Sequence, residues 1–395
     1  MVAPPAGGTR AATAFIVLVG VVSLFADMTY EGARSITGPF LAVLGASGAV
    51  VGVVAGFGEL AGYALRLASG WWADRSGRYW AITIFGYAVN LGAVPLLALA
   101  DAWPLAAALM VTERIGKAIR TPARDAMLSH ATHRTGHGWG FGLHEALDQT
   151  GATIGPLAVA VVLGLKWGYA GAFALLAIPA LLSIGVLLAA WRLYPRPEAL
   201  EIDAPALRPA GFAGAYWWYV GAACCVALGY ADYPLLAYHF EKAGSVPAQG
   251  IAVLYAVAMA VDGAAALVFG RWFDRRGLRV LAAATVFSAL FAPLAFFGGF
   301  AGAIAGAVLW GIGMGAQESI MRAAVAALTP AERRGTAYGL FNTCFGVSWF
   351  AGSALMGALY DLSIPALVAF SVAAQLAALP LFFASRRRAA RVAPA

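Results

Sequence analysis

The sequence predicts an all-α integral membrane protein in which twelve transmembrane helices form two six-helix, pseudo-symmetric repeats. The first observation is composition, since 62% of the 395 residues are hydrophobic and only 11% are charged. Soluble domains are about 45–50% apolar and about 25% charged. The second observation is that the apolar runs are about 20 residues long, which lets a helix cross a hydrocarbon core of about 30 Å. The third is a charged phrase that occurs twice, 200 positions apart.

The individual spans follow from the apolar runs taken in chain order, and we number them 1 to 12. Each run ends where charged residues, glycine or proline interrupt it. The first run continues into an acidic segment without a small-residue cleavage site, so we expect a retained helix rather than a signal peptide. The predicted spans cover residues 12–36, 48–69, 79–100, 102–123, 139–163, 169–191, 212–238, 249–269, 279–298, 300–326, 336–359 and 363–384.

The basic residues indicate membrane topology rather than a nucleic-acid partner. The formal net charge is +7, but most arginines fall on one side of the twelve spans, which is the positive-inside pattern. This pattern predicts a multi-pass protein of the bacterial inner membrane with both termini in the cytoplasm. We therefore expect the lipid bilayer, and no nucleic acid, as a partner. The predicted cytoplasmic side carries Arg10, Arg75, Arg78, Arg124, Arg134, Arg192, Arg196, Arg208, Arg271, Arg279, Arg333, Arg334 and Arg386.

The repeated phrase divides the chain into two halves. The phrase "GWWADRSGRYW" follows span 2, and "GRWFDRRGLRV" follows span 8. A second pair, "HRTGHGWGFGL" and "ERRGTAYGLFN", follows spans 4 and 10. The connecting segment is rich in proline and charge, as expected of a linker. The predicted organisation is an N-terminal six-helix bundle over 1–191, a cytoplasmic linker over 192–211 and a C-terminal six-helix bundle over 212–395.

The repeated turn combines glycines, which permit close approach and positive φ, with an aspartate that can face a helix N-terminus or an arginine. Two such turns in two sets of six spans resemble the major facilitator superfamily of secondary transporters. The resemblance implies the fold of that superfamily, alternating access around a site between the repeats, and a gating role for the turn. An alternative is that these charges only stop the helices and set topology. The gating candidates are Gly70, Asp74, Arg75, Gly77 and Arg78 in the first copy, and Gly270, Asp274, Arg275 and Gly277 in the second.

Span 5 contains "GATIGP", which is similar to the Gly-x-x-x-Gly-Pro core of antiporters in this superfamily. Gly151 and Gly155 lie one turn apart, where small residues let another helix pack closely, and Pro156 introduces a kink. The resemblance implies efflux. Helix packing alone is the alternative explanation.

Spans 1, 4 and 5 carry ionisable residues at helical spacing, although such residues are costly in hydrocarbon unless they are paired or hydrated. Positions i, i+4 and i+7 share one helical face, so each span presents a charged stripe. The candidate proton-coupling residues are Asp27, Glu31 and Arg34 in span 1, Glu113, Arg114, Lys117 and Arg120 in span 4, and His144, Glu145 and Asp148 in span 5.

A buried carboxylate beside a cation can exchange a proton when the geometry changes. Protonation of Glu113 or Asp148 would then free Lys117 or Arg114 and bias the protein between inward-facing and outward-facing states. Arg114 resembles the span 4 arginine associated with proton transfer in the drug-efflux branch of the superfamily. Residues 113–125 are also similar to a poorly characterised group of bacterial facilitators. A static salt-bridge network that joins spans 1, 4 and 5 remains the alternative.

Polar residues elsewhere give further candidates. The resemblance implies that spans 1, 4, 7 and 10 line the cavity, and His130, His133 and His137 follow span 4. Gly136, Gly138 and Gly140 disfavour a persistent helix there, and no thiol or clustered acid completes a ligand set, so we expect no metal and no cofactor. A nucleophile elbow, a P-loop and an HExxH motif are missing from the sequence, which argues against an enzyme. The predicted substrate-binding residues are Tyr30, Tyr230, Asp232, Gln317, Glu318 and Arg322.

Together these features predict a secondary active transporter that works as a monomer and exports a small organic molecule in a proton-coupled cycle of alternating access. An uptake symporter for a sugar or an organic acid is the alternative within transport. A metal-ion exporter and a non-transporting receptor that keeps the fold are the other hypotheses.

Overall fold

A computed structural model describes residues 8–135, 137–197, 214–321, 324, 325, 328 and 334–392. The described residues are helical with short connections and contain no strand, which confirms the all-α class. Eight of the described helices are long and apolar enough to cross a membrane. Twelve helical segments, some of them broken, occur in the described part of the chain and match the twelve predicted spans in order.

The first six segments make up the first sequence repeat. The predicted boundaries agree with the helical ones closely for spans 3, 5 and 6, whereas the helix of span 2 continues past residue 69 to Ser76. Span 4 is longer than its apolar part, because the helix continues through its charged residues. The segments are α1 Thr9–Val43, α2 Gly48–Ser76, α3 Tyr79–Leu96 with a final 3-10 turn Leu97–Leu99, α4 Trp103–Thr135, α5 His137–Gly164, and α6 as two pieces, Gly168–Leu175 and Ala177–Leu193.

The other six segments show more breaks. Span 7 is interrupted by the non-helical residues 230–232, and span 10 changes from α-helix to π-helix. π-Helical turns are rare in proteins, and those that occur are often found at functional sites. The segments are α7 as Gly214–Gly229 and Tyr233–Lys242, α8 Ala248–Arg276, α9 as Leu278–Ala289 and Phe291–Phe297, α10 Gly299–Gly315 with its π turn Ala316–Met321, α11 Arg334–Leu362 and α12 Ile364–Val392.

Packing divides the chain into two compact units that do not follow the repeats along their whole length. The first unit comprises Met1–Ile36 and Ala61–Pro205, and the second comprises Thr37–Leu60 and Ala206–Ala395. The end of α1 and the start of α2 therefore pack with the second half of the chain. The repeat boundaries and the linker remain sequence predictions, and most of the linker lies outside the described residues.

Glycines bring α3 and α4 into backbone contact inside the first unit. A Cβ at Gly86 would lie 2.6 Å from the backbone nitrogen of Arg120, and a Cβ at Gly116 would overlap the backbone of Asn90. Small residues allow this approach because they remove the side chain that would separate two backbones. The tight contact fixes the direction in which the polar side chains of α4 project.

Candidate functional site

The charged face of α4 lies in the interior of the first unit. Glu113 is 8% exposed, and its Oε1 accepts a hydrogen bond of 2.7 Å from Asn90 Nδ2 on α3. The same amide donates to the Glu113 carbonyl at 3.0 Å, and Arg114 Nε lies 3.2 Å from Glu113 Oε2. The carboxylate is thus held by a neutral donor and by a cation.

Lys117 joins α4 to α1. Its Nζ lies 3.9 Å from Glu31 Oε1 and 3.9 Å from the centre of the Tyr30 ring. An ammonium above an aromatic face is attracted by the ring quadrupole. Asp27, one turn before Glu31, is also buried, and Lys117 and Arg120 lie within Coulombic range of it. Spans 1 and 4 therefore meet through their charged stripes.

A chain of polar contacts continues from α4 through α1 to α5. Arg124 Nη1 donates to Ser23 Oγ at 3.0 Å, and its other nitrogens hold Asp125 Oδ1 at 2.8 Å and 2.9 Å. Ser23 Oγ is 3.0 Å from His144 Nε2, and His144 Nδ1 is 3.5 Å from Asp148 Oδ2. The Asp125 side chain is 45% exposed whereas that of Asp148 is 17% exposed. We call these five residues the relay.

Arg120 occupies a niche between α1, α3 and α4. The residue is 1% exposed, and its guanidinium carbon lies 4.2 Å from the centre of the Tyr87 ring and 5.7 Å from that of Tyr30. None of its three guanidinium nitrogens has a hydrogen-bond partner among the described residues. A buried charge in this condition is costly, which marks the niche as unusual.

Two of the predicted coupling residues differ from the others in position. Glu145 is exposed, and its Oε1 accepts a hydrogen bond of 3.3 Å from Gln149 Nε2, so it stands apart from the buried network. Arg34 is partly buried near the end of the α1 stripe. The structure brings together the remaining predicted residues of spans 1, 4 and 5.

The small residues of α5 contact α1. A Cβ at Gly151 would overlap the Leu24 carbonyl, and a Cβ at Gly155 would overlap the Met28 carbonyl. Pro156 lies within α5, which runs on to Gly164. The "GATIGP" motif therefore makes a close helix–helix contact, and its implication for efflux remains a prediction.

The two repeated turns share a backbone conformation. Gly77 has φ of +63° and Gly277 has φ of +57°, a region that glycine adopts without steric penalty. Arg75 lies over the Trp71 ring at 5.4 Å. Arg78 and Arg275 are exposed, Gly70 packs near Pro122, and Gly270 is helical backbone. The side chains of Asp74 and Asp274 lie outside the described residues, so the gating role stays a prediction.

In the second unit, the break in α7 places a carboxylate among aromatic rings. Asp232 is 1% exposed, and its Oδ2 accepts hydrogen bonds from Trp349 Nε1 at 2.9 Å and from Ser353 Oγ at 2.7 Å. The Tyr230 hydroxyl donates to the Trp310 carbonyl, and Trp310 Nε1 donates to the Ala231 carbonyl at 2.9 Å. The non-helical residues 230–232 are therefore fixed by side chains of α10 and α11.

The π turn of α10 carries the remaining substrate candidates. Gln317 is 8% exposed, donates to the Gly313 carbonyl at 3.2 Å and borders a small cavity together with Thr285 and Ser288. The Glu318 side chain and the whole of Arg322 lie outside the described residues. Among the described residues, no group of three histidine, cysteine, aspartate or glutamate side chains could hold a metal ion.

Sequence reasoning missed several residues that connect these groups. Ser23 and Asn90 are buried polar residues in otherwise apolar runs, and Trp349 and Ser353 contact Asp232 from α11. A lone polar residue within an apolar span is the signal that could have identified Asn90. The role of Tyr87 depends on a tertiary contact that the sequence does not reveal.

A helical membrane protein with ionisable side chains buried inside its bundle has the features expected of a polytopic transporter. Comparison with known proteins supports this class: the sequence profile of the Major Facilitator Superfamily matches residues 17–238 and 219–395. The chain therefore belongs to the Major Facilitator Superfamily, and it is a multi-pass secondary transporter rather than an enzyme.

Individual relatives agree with this family. An uncharacterised protein of Mycobacterium tuberculosis (strain ATCC 25618 / H37Rv) is 45% identical over 399 residues, covering 98% of this chain and 97% of the relative. An uncharacterised transporter of this superfamily type from Methanocaldococcus jannaschii is 30% identical over 39% of each chain. A bacterial homologue of the human lysosomal transporter Spinster, solved in an inward-facing and unoccupied conformation, has a TM-score of 0.75 at 15% identity, covering 98% of this chain and 100% of that one. The last similarity concerns the fold alone.

Proposed function

We propose that this transporter couples the movement of protons to the export of a small organic molecule by alternating access. The supporting observation is that three sets of polar contacts lie on α1, α4 and α5 of the first unit, namely those of Glu113, the pair of Lys117 with Glu31, and the relay. Removing one partner from a buried charged pair costs about 3–5 kcal/mol. The free-energy change caused by protonation of one carboxylate is therefore large enough to shift an equilibrium between two conformations.

The network gives the coupled proton a site and fixes the charges around that site. Asp148 contacts His144 and, through Ser23, Arg124, whose guanidinium only donates hydrogen bonds and keeps its charge, while the exposed Asp125 balances that charge. Protonation of Asp148 or Glu113 would remove a negative charge and loosen the cations of α4 from their partners. The protein would then favour the opposite access state.

The proposed direction, export, rests on the resemblance of "GATIGP" to the antiporter motif. We also propose that the protein lies in the bacterial inner membrane with both termini in the cytoplasm, as the arginine distribution indicates. It would act as a monomer whose ligands are protons and the transported molecule.

The experiment is a measurement of internal pH in proteoliposomes that contain a trapped fluorescent pH indicator. Wild type, Glu113→Gln and Glu145→Gln are each challenged with organic cations, sugars, organic acids and divalent metal ions. We expect one class to drive proton flux in the wild type and in Glu145→Gln, because Glu145 is exposed and outside the network. The flux should fall at least tenfold in Glu113→Gln.

The result that would overturn the coupling is substrate movement without proton flux, in which case the network is structural. If neither wild type nor Glu113→Gln moves any of these compounds, the result would favour a receptor that has lost transport. The sign of the pH change shows whether protons and substrate move in the same or in opposite directions. Alkalinisation of the compartment that the substrate leaves indicates symport, and acidification of that compartment indicates exchange.

An uptake symporter for an organic acid is the second candidate, and Arg120 favours it. Asp27 and Asp148 lie within Coulombic range of this arginine. An organic anion would bind there most readily when these acids are protonated, so proton and anion would move in the same direction.

A further inference from the structure

The α4 face has one cation whose arrangement differs from that of its neighbours. Arg114 lies beside Glu113, Lys117 beside Glu31, and Arg124 beside Asp125. Arg120 contacts aromatic rings instead, and its guanidinium nitrogens have no hydrogen-bond partner within the described residues. The five N–H donors of this guanidinium therefore have no acceptor among the residues that the structure describes.

The surroundings of Arg120 have the features of a ligand niche rather than of a packing site. The backbone of α4 contacts α3 at Gly86, and the Arg120 side chain lies between the ring of Tyr87 on α3 and the ring of Tyr30 on α1. The two rings form flat apolar walls, and the ring of Tyr30 also carries Lys117 at 3.9 Å. A structural role would leave the donors unsatisfied at a cost of about 1–3 kcal/mol or more.

We propose that Arg120 binds a carboxylate of the transported molecule, which makes the substrate an organic acid that binds as its anion. The inference rests on the proposed transport of a small organic molecule and supplies its chemical class. A guanidinium donates two parallel hydrogen bonds to a carboxylate, a geometry that fixes orientation as well as charge. The Tyr30 and Tyr87 rings would contact the carbon skeleton of the acid.

The charge balance favours a carboxylate over a phosphate. A singly charged carboxylate neutralises the one guanidinium, whereas a doubly charged phosphate would add a second negative charge near Asp27 and Asp148. A neutral sugar would offer single hydroxyl acceptors rather than the two parallel acceptor oxygens that a guanidinium binds best. Access to Arg120, which is 1% exposed, requires α1 or α3 to move away from α4 within the first unit.

The experiment measures ligand-dependent melting of the purified full-length protein by its intrinsic tryptophan fluorescence. The probes are acetate, lactate, succinate and benzoate, each compared with the amide of the same skeleton, and sulfate as an inorganic anion. A ligand that binds only the folded state raises the melting temperature in proportion to occupancy. We expect at least one carboxylate to raise it while its amide does not.

The variants assign the effect to the residue. Arg120→Gln should weaken carboxylate binding at least tenfold, Arg120→Lys should retain part of it because charge remains without the planar fork, and the exposed Arg192→Gln should match wild type. Unchanged affinity in Arg120→Gln, equal binding of acids and amides, binding of sulfate alone, or no binding by any carboxylate would each overturn the proposal. The comparison of acid with amide uses wild type only, so it stands even if a variant does not fold.

This binding test is independent of the proton measurement. Carboxylate binding that depends on Arg120, found together with no proton flux, would keep the substrate class and remove the coupling. Proton flux driven only by neutral or cationic compounds would keep the coupling and remove the substrate class.

Discussion

At the scale of single residues, the first unit keeps an unusual number of ionisable side chains away from water. Glu31, Glu113 and Arg120 are each less than 10% exposed. Charged groups inside a membrane protein are costly and face the bundle interior or a hydrated cavity. Their number on α1, α4 and α5 is better explained by a cycle that uses them than by stability, because apolar residues of similar size often stabilise a core equally well.

Ser23 offers the sharpest single-residue test of the relay. Ser23→Ala removes the oxygen that lies between Arg124 and His144, with contacts of 3.0 Å on each side. Two hydrogen bonds of about 1 kcal/mol each correspond to a slowing of proton flux by about tenfold or more. The measurement is proton flux in proteoliposomes under a fixed substrate gradient.

Ser183→Ala is the matched control for this change. Ser183 is equally buried, but its hydroxyl donates to the Val22 carbonyl at 2.8 Å and has no part in the relay. Equal flux in the two serine variants would show that the relay has no part in proton coupling.

At the scale of helices, the site depends on close contacts that only small residues allow. Gly86 and Gly116 bring α3 to α4, and Gly151 and Gly155 bring α5 to α1. In a bilayer, helix association depends on van der Waals packing rather than on the hydrophobic effect, so backbone approach matters more than in water. These contacts hold the four polar faces within hydrogen-bond distance of one another.

The α1–α5 contact predicts a strong effect of one added methyl group. Gly155→Ala places a Cβ against the backbone of Met28. Backbone atoms within a helix cannot shift as easily as the end of a flexible side chain. Overpacking of this kind costs about 1–3 kcal/mol, so we expect a lower melting temperature and reduced transport. Gly164→Ala, on the same helix with no atom within 4 Å of the added Cβ, should change neither. Similar melting of the two variants would contradict the packing assignment.

At the scale of the whole molecule, the end of α1 and the start of α2 are held to the second half of the chain. Asp361 accepts hydrogen bonds of 2.8 Å from the backbone nitrogens of Gly48 and Ala49 at the start of α2. The Tyr238 hydroxyl donates to the Ala46 carbonyl at 3.0 Å, and a Cβ at Gly52 would overlap the Ser353 carbonyl. A carboxylate at a helix N-terminus satisfies free N–H groups and the helix dipole.

Alternating access predicts that these contacts break during the cycle. In a background without Cys224, Cys225 and Cys344, the pair Ala49→Cys and Asp361→Cys should be joined by a short thiol-specific cross-linker. We expect cross-linking to abolish transport, while each single cysteine variant treated in the same way should transport normally. Full transport by the cross-linked protein would mean that residues 37–60 stay with the second unit throughout the cycle.

The sequence alone determined the membrane class, the number and order of the helices, and the charged stripes of α1, α4 and α5. Each of these follows from local properties, namely the length of an apolar run, a glycine that permits positive φ, or the spacing of residues on a helix. Part of the pairing of charges could also be predicted from the sequence, because residues four positions apart share a helical face, as His144 and Asp148 do.

Only the tertiary structure decided which of these side chains meet. The rotation of each helix about its axis left Glu145 exposed and placed His144, its neighbour in sequence, in the relay. The rotation of α4 placed Arg120 against the ring of Tyr87, where its guanidinium makes no hydrogen bond to a carboxylate of the described chain. One sequence does not encode such rotations locally, because they are set by the close contacts between different helices.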